Sequence, residues 1–316
     1  MEVVTLGETM VMMTPQASGS LKQVHDFSKN LGGAESNVAI ALSRLGIKSG
    51  WISRLGRDSF GDYLEFFIRG EGVDVSRVKR DQDHSTGLMV KERREMGETK
   101  VFYYRDNSAA SNLSPGDLDE SYIAQAEILH LTGITPALSK NCKDTVHKAI
   151  EIARAHDLKI TFDPNLRFKL WGEEEMRKEI LNICSQVDII LPGKAEGEFL
   201  LQKEAPEKII NEFMNMGPEL VVLKLGEKGA MFAAPGKKPT RVSGFNIERI
   251  IDPVGAGDGF AAGLIAGLIQ KKSLKESIKT ANAVGAFALT VKGDVEGFPT
   301  REELDEFLGN KEEVIR

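Results

Sequence analysis

From Asp119 onward the chain alternates between two kinds of apolar pattern. Short runs of β-type residues at 128–131, 159–162 and 188–191 are each followed by a segment with helical spacing, at 140–155, 173–184 and 206–216 respectively. Such alternation predicts parallel strands joined by crossover helices. A last strand-like run, 220–224, leads into Gly226 and Gly229. The first third reads differently: 3–13, 50–53, 86–91 and 100–105 are strand-like, and only some lead into helices. The last two runs are expected to pair as a hairpin. Its connection, 92–99, is charged and contains a glycine, so the pair reads as a solvated flap over one edge of the core, able to exclude water when closed. The final third is helical in pattern, at 255–270, 273–289 and 301–308, the last opened by Pro299 and Thr300. There is no internal repeat, low-complexity tract or linker.

Composition narrows this picture. With 316 residues, 41% hydrophobic and 28% charged, the chain can bury a large core, and its length leaves one or two domains open. The formal charge of -6, from 41 basic and 47 acidic residues without a block of either sign, points away from nucleic acid and membrane surfaces and toward a small-molecule partner. Cys142 and Cys184 lie far apart without metal-ligand spacing, which fits a reducing compartment. No basic segment precedes an apolar one at the N-terminus, and the longest uncharged apolar stretch, 259–269, is too short to span a bilayer. A cytoplasmic location is expected.

The segment Ile251-Asp252-Pro253-Val254-Gly255-Ala256-Gly257-Asp258-Gly259-Phe260 carries the most chemistry. It places small residues at a helix start, where the N–H groups of Gly255, Ala256 and Gly257 can approach an anion and the helix dipole adds positive potential. Asp258, in the first turn, is placed to accept a proton from an attacking hydroxyl. A blander reading is that the glycines merely allow tight helix packing. The string, however, closely resembles the signature of the ribokinase-like (PfkB) carbohydrate kinases. Gly32-Gly33-Ala34-Glu35-Ser36-Asn37-Val38-Ala39 and Arg54-Leu55-Gly56-Arg57-Asp58-Ser59-Phe60-Gly61 resemble that family's N-terminal signature, in which the glycine pair lets a sugar lie against backbone and Asn37 reaches its hydroxyls.

The resemblance covers roughly residues 1 to 308. It implies a three-layer α/β/α fold: a mainly parallel central sheet flanked by helices, forming one domain over 1–316 with a small β lid built from about 14–31 and 84–112. It also implies ATP as co-substrate. Asn165, Lys194, Lys224, Gly226, Gly229, Gly255, Gly257, Asn282 and Gly285 would meet the nucleotide, with Lys224 to Ala230 resembling the family's nucleotide loop. Mg²⁺ would be organised through water by Glu196 and Asp252. Glu196 ends an Asn-x-x-Glu motif whose first position is Gly193 in this chain. A monovalent cation is left open. The Gly-x-Gly-x-x-Gly and Gly-x-x-x-x-Gly-Lys-Ser patterns of other nucleotide sites are absent, which disfavours a nicotinamide oxidoreductase.

A sugar acid needs a cation, and arginine offers a planar fork matched to a carboxylate. Val101-Phe102-Tyr103-Tyr104-Arg105 puts Tyr103 and Arg105 on one face of a strand, and Phe162-Asp163-Pro164-Asn165-Leu166-Arg167 puts Arg167 just past the C-terminal end of a core strand. Both strings resemble the family's 2-keto-3-deoxygluconate kinases. The resemblance implies that Gly33, Asn37, Tyr103, Arg105, Arg167 and Asp294 bind the sugar, with Met89 standing where some of those kinases carry another tyrosine. The expected activity is in-line phosphorylation of the sugar acid at a primary hydroxyl to its 6-phosphate, with Asp258 as base. The alternatives are fructose, ribose or another deoxy sugar acid as acceptor, or a non-catalytic sugar-binding protein. Exposed strand edges on the lid suggest a homo-oligomer built lid to lid.

Overall fold

A computed structural model describes residues 1–92 and 100–309. Most of the expected flap connection, 93–99, therefore lies outside the described residues. The elements run β1 (Val3–Leu6), β2 (Met10–Pro15), β3 (Phe27–Gly32), α1 (Ala34–Arg44), β4 (Ser49–Gly56), α2 (Ser59–Gly70), β5 (Val78–Asp81), β6 (Leu88–Glu92), β7 (Lys100–Tyr104), α3 (Glu120–Ile123), β8 (Ile128–Thr132), α4 (Thr135–Leu138), α5 (Lys140–Ala155), β9 (Lys159–Asp163) and α6 (Glu173–Cys184). They continue with β10 (Ile189–Ile190), α7 (Lys194–Leu201), α8 (Pro206–Asn215), β11 (Leu220–Lys224), β12 (Ala230–Ala233), β13 (Thr240–Val242), α9 (Ala256–Ile269), α10 (Leu274–Ala288) and α11 (Arg301–Phe307).

The large sheet has the order β13-β12-β11-β10-β9-β8-β1-β4-β5. It is parallel from β11 to β5, and β12 and β13 add an antiparallel edge. Alternate residues of its strands feed two separate cores, as a two-sided buried sheet requires. Val3, Trp51, Ile189 and Val222 pack with α1, α2, α9 and α10, while Val4, Ile52, Ile190 and Val221 pack with α5, α6, α7 and α8. The chain moves outward in both directions from the boundary between β1 and β8, so the strand order reverses there. In open α/β sheets this is where a ligand crevice forms beyond the carboxyl ends of the strands.

A second sheet, β3-β2-β6-β7, stands over that end as a lid, with β2 parallel to β6 and the outer pairs antiparallel. The strand-like run 3–13 is thus divided: 3–6 belongs to the core sheet and the chain from Met10 onward to the lid. Gly7 sits at the break and lets the chain pass close to α1, because a Cβ there would lie 2.3 Å from the buried Glu35 carboxyl carbon. Helix starts follow side-chain caps, Ser139 accepting from Cys142 N for α5 and Ser273 and Thr300 forming capping boxes with Glu276 and Glu303 for α10 and α11. Helix α9 is apolar on nearly every face because α1 and α10 enclose it. Gly263 and Gly267 let α10 come close, since a Cβ at either would lie 2.7 Å from Ala281 or Ser277. Its N-terminus is thereby fixed over the sheet. Both cysteines are buried and free, and among the described residues no helix is long and apolar enough to cross a membrane.

Candidate active site

Two cavities meet at the N-terminus of α9. One, of about 420 Å³, lies beyond the ends of β1, β9 and β11 and is roofed by lid residues Met10, Met89, Lys91, Val101, Tyr103 and Arg105. The other, of about 660 Å³, lies between the 226–229 turn, the 244–250 segment and α10. Lys224 and Gly257 line both.

Gly255 caps α9 at φ 79, in the left-handed region, and a Cβ there would stand 2.2 Å from the Asp294 carbonyl oxygen. The first α9 amide to find a backbone acceptor is that of Gly259, 2.8 Å from the Gly255 carbonyl. The amides of Gly255, Ala256, Gly257 and Asp258 donate to no protein acceptor among the described residues. Four unpaired N–H groups and the positive end of a helix dipole therefore face the junction of the cavities. Asp258 is the third residue of this turn, and its Oδ2 accepts 2.8 Å from Asn37 Nδ2. Burial pushes its carboxyl up to about 7; Asp163 and Asp294 push the same way, while the Asn37 hydrogen bond and Arg167 pull against them.

Beside the turn, Lys224 at the end of β11 pairs with Asp163 at the end of β9, Nζ to Oδ2 2.6 Å. Burial disfavours the ammonium, but Asp163 and then Glu196 outweigh it, and the net shift is upward. Glu196 occupies the first turn of α7. Its two oxygens accept from Leu166 N at 2.9 Å and Gly193 N at 2.6 Å, and burial raises its carboxyl against the pull of Lys224. Glycine at 193 thus supplies the backbone half of the cap without a side chain. Asn165, held at φ 37, lines the first cavity, and its amide reaches Asp163 Oδ1 at 3.3 Å.

At the lid side, Arg105 is paired with Glu8, which in turn accepts 2.6 Å from Ser108 Oγ. Tyr103 lies 5.7 Å from the Arg105 guanidinium carbon, and both line the cavity, as their shared strand face predicts. Arg167 is exposed at the cavity wall, with no ion-pair partner among the described residues. Lys91 reaches across from β6 to Asp294, 3.4 Å away. Burial raises the Asp294 carboxyl to about 6 although Lys91 opposes it. Gly33 lines the cavity too, but its missing Cβ faces Glu8 and Thr9, so backbone packing already demands a glycine there.

Gly226, Gly229, Asn282 and Gly285 all line the second cavity, where Asn282 Nδ2 donates 3.1 Å to the Ser243 carbonyl. Two expected residues sit elsewhere. Lys194 points away from both cavities and pairs with Glu198 one turn along α7, Nζ to Oε1 2.6 Å, because the helix phase puts both on its outer face. Asp252 accepts 3.1 Å from Val254 N and shapes the turn before α9 without lining either cavity. Glu8, Lys91 and Asp163 belong to the site and escaped the sequence reading. Asp163 had a signal: a carboxylate ending an otherwise apolar strand at the crevice edge.

Comparison with known proteins establishes the family and the fold. The family model "pfkB family carbohydrate kinase" matches residues 1–301. A 2-dehydro-3-deoxygluconokinase of Bacillus subtilis (strain 168) is 41% identical over 316 residues, 99% of this chain and 97% of that protein. Fructokinase-1 of Zea mays is 34% identical over 312 residues, 96% of each. The solved 2-dehydro-3-deoxygluconokinase of Thermotoga maritima superposes with a TM-score of 0.89 at 28% identity, covering 98% of this chain and 99% of that one. Matched over almost its whole length by the family model and by these relatives, the chain belongs to the pfkB family and is a carbohydrate kinase.

Proposed function

We propose that the protein phosphorylates 2-keto-3-deoxygluconate (2-dehydro-3-deoxygluconate) at its 6-hydroxyl with ATP. The observation that carries the choice of acceptor is the placement of Arg105 and Arg167 on the wall of the cavity that also holds Asp258. A sugar acid can span it with its carboxylate toward the guanidinium groups and its primary hydroxyl toward Asp258. The relative from Bacillus subtilis supports the same acceptor. Asp258, titrating at about 7, takes the hydroxyl proton near neutral pH, where a general base works best. The ATP phosphates lie over the unpaired amides of the first α9 turn, with ribose and adenine in the second cavity beside Gly226, Gly229, Asn282 and Gly285.

Among the described residues no three ligating side chains cluster for a metal. Mg²⁺ fits this site as an ion brought in with the nucleotide, and Glu196, whose two oxygens keep lone pairs beyond their amide partners, would hold it through water. When bound, the ion supplies neutralisation of phosphate charge. The same assay run with and without K⁺ decides whether a monovalent cation assists. The lid leaves Phe102 and Tyr104 of β7 42% and 65% exposed, and we include lid-to-lid pairing of two chains, which would cover them, in the proposal; a monomer in light scattering removes it.

A second reading, a neutral acceptor such as fructose, is favoured by one observation: Glu8 already neutralises Arg105. ADP release with Mg-ATP over 2-keto-3-deoxygluconate, 2-keto-3-deoxygalactonate, gluconate, fructose and ribose separates them. Selective turnover of the keto-deoxy acids supports the proposal, and preference for fructose or ribose replaces the acceptor while leaving Asp258 in place.

A further inference from the structure

Lys224 and Gly257 are the residues that face both cavities, and they face each other: a Cβ built on Gly257 would meet Lys224 Nζ at 3.8 Å and nothing nearer. The Lys224 ammonium has three N–H donors. One meets Asp163 Oδ2 at 2.6 Å, and no other acceptor among the described residues takes the remaining two. Those two donors and the unpaired amides of the first α9 turn lie side by side where the two cavities share their lining, which makes this spot the passage between them. A group held there is within reach of both cavities.

We infer that Lys224 is a catalytic residue that holds the transferring phosphoryl group in transit, and that Asp163 is the positioning residue that aims its ammonium. In phosphoryl transfer, charge spreads over the equatorial oxygens of the moving group, so a cation at the passage is stronger in the transition state than toward either bound reactant. The acceptor hydroxyl oxygen forms a bond to the γ-phosphorus while the bond from that phosphorus to its bridging oxygen breaks. The bond's electron pair leaves with ADP. The hydroxyl proton goes to Asp258, and Lys224 keeps its own throughout. Asp163 anchors one N–H and leaves the other two pointing at the passage, which a free lysine chain would not do unaided. This rests on the kinase activity of the family and not on which sugar is the acceptor.

The test uses whichever sugar the wild-type protein turns over fastest and reads turnover against the binding of ADP, which lacks the transferred group. Lys224→Met is expected to lower kcat by about 10²–10³ while the ADP dissociation constant and the sugar KM stay within about threefold. Lys224→Arg is expected to recover part of the loss. Asp163→Asn is expected to lower kcat by about tenfold, again with ADP affinity unchanged. Lys224→Met leaves Asp163 buried without its partner, so the paired variant Lys224→Met/Asp163→Asn, checked by its melting curve, carries the same kcat prediction if the single variant does not fold. Loss of ADP affinity in proportion to kcat would place Lys224 on the part of the nucleotide that stays behind, and unchanged turnover would remove it from the reaction; either result overturns the inference.

Discussion

Asn37 Nδ2 donates to Asp258 Oδ2 across 2.8 Å, joining α1 to the first turn of α9 over 221 positions of sequence. The bond favours the ionised carboxylate and so works against the burial that lifts Asp258 to about 7. Asn37→Ala removes the donor and keeps the burial. Asp258 should then titrate higher, and the acidic limb of the kcat/KM profile should move up by roughly one pH unit, since one hydrogen bond to a charged group corresponds to about 1.5–3 kcal/mol before compensation by water. The Asn37 Oδ1 atom is buried and unpartnered, so the same variant should also raise the sugar KM. An acidic limb that stays in place would belong to another group.

The raised Asp258 pKa has a consequence for stability. Between the ordinary aspartate value of 3.8 and about 7 the folded chain holds a proton at Asp258 that the unfolded chain has lost, so this site's contribution to stability falls as pH rises through that window. It is fully present below about 4 and gone above about 7. Asp258→Asn cannot ionise. It should lose at least 10²-fold in turnover, as expected for a missing general base, yet melt at or above the wild-type temperature at pH 8, with the difference shrinking toward pH 4. A variant less stable at pH 8 than at pH 4, relative to wild type, would mean that Asp258 is ionised without strain.

Much of this site could be read from the sequence, because its working parts are local strings. The 255–258 turn, the 103/105 pair on one strand face and Arg167 past a strand end each follow from helix or strand geometry. What the sequence hid are contacts between distant segments. Nothing near Lys91 announces Asp294, 203 positions away, and nothing near Glu8 announces Arg105. The division of 3–13 between core and lid is another tertiary feature, made at Gly7, which packs against Glu35 of α1. The antiparallel β12 and β13 and the short helix α7 were missed because each is only three to eight residues long, too short for a periodicity to declare itself.

The two arginines should separate in a double-variant experiment. Arg105 and Glu8 have side chains 10% and 1% exposed, so Arg105→Ala strands a buried carboxylate and should cost about 3–5 kcal/mol of stability, whereas Arg167→Ala, at an exposed position, should leave the melting curve unchanged. Each should raise the KM for a keto-deoxy acid by about 10–100-fold, the worth of a hydrogen bond to a charged group, and change kcat little. Adding Glu8→Gln to Arg105→Ala should return most of the stability and none of the KM. If Glu8→Gln restored the KM as well, Arg105 would act through Glu8 and not on the substrate.

Two glycines two positions apart should respond in opposite ways to one added methyl group. Gly255 sits at φ 79 with the Asp294 carbonyl 2.2 Å from where a Cβ would stand, so Gly255→Ala must both strain the backbone and push the 294 segment aside. A loss of at least ~1–3 kcal/mol should show as a lower melting temperature, with activity lost alongside it. Gly257 has ordinary helical backbone and an open space whose nearest atom is Lys224 Nζ at 3.8 Å. Alanine is the better helix former, so Gly257→Ala should fold at least as stably as wild type. Its methyl would project into the passage where the amides and the ammonium meet, and turnover should fall at least tenfold. A Gly257→Ala protein that is stable and fully active would show that no anion approaches this turn, and the phosphates would have to be bound elsewhere.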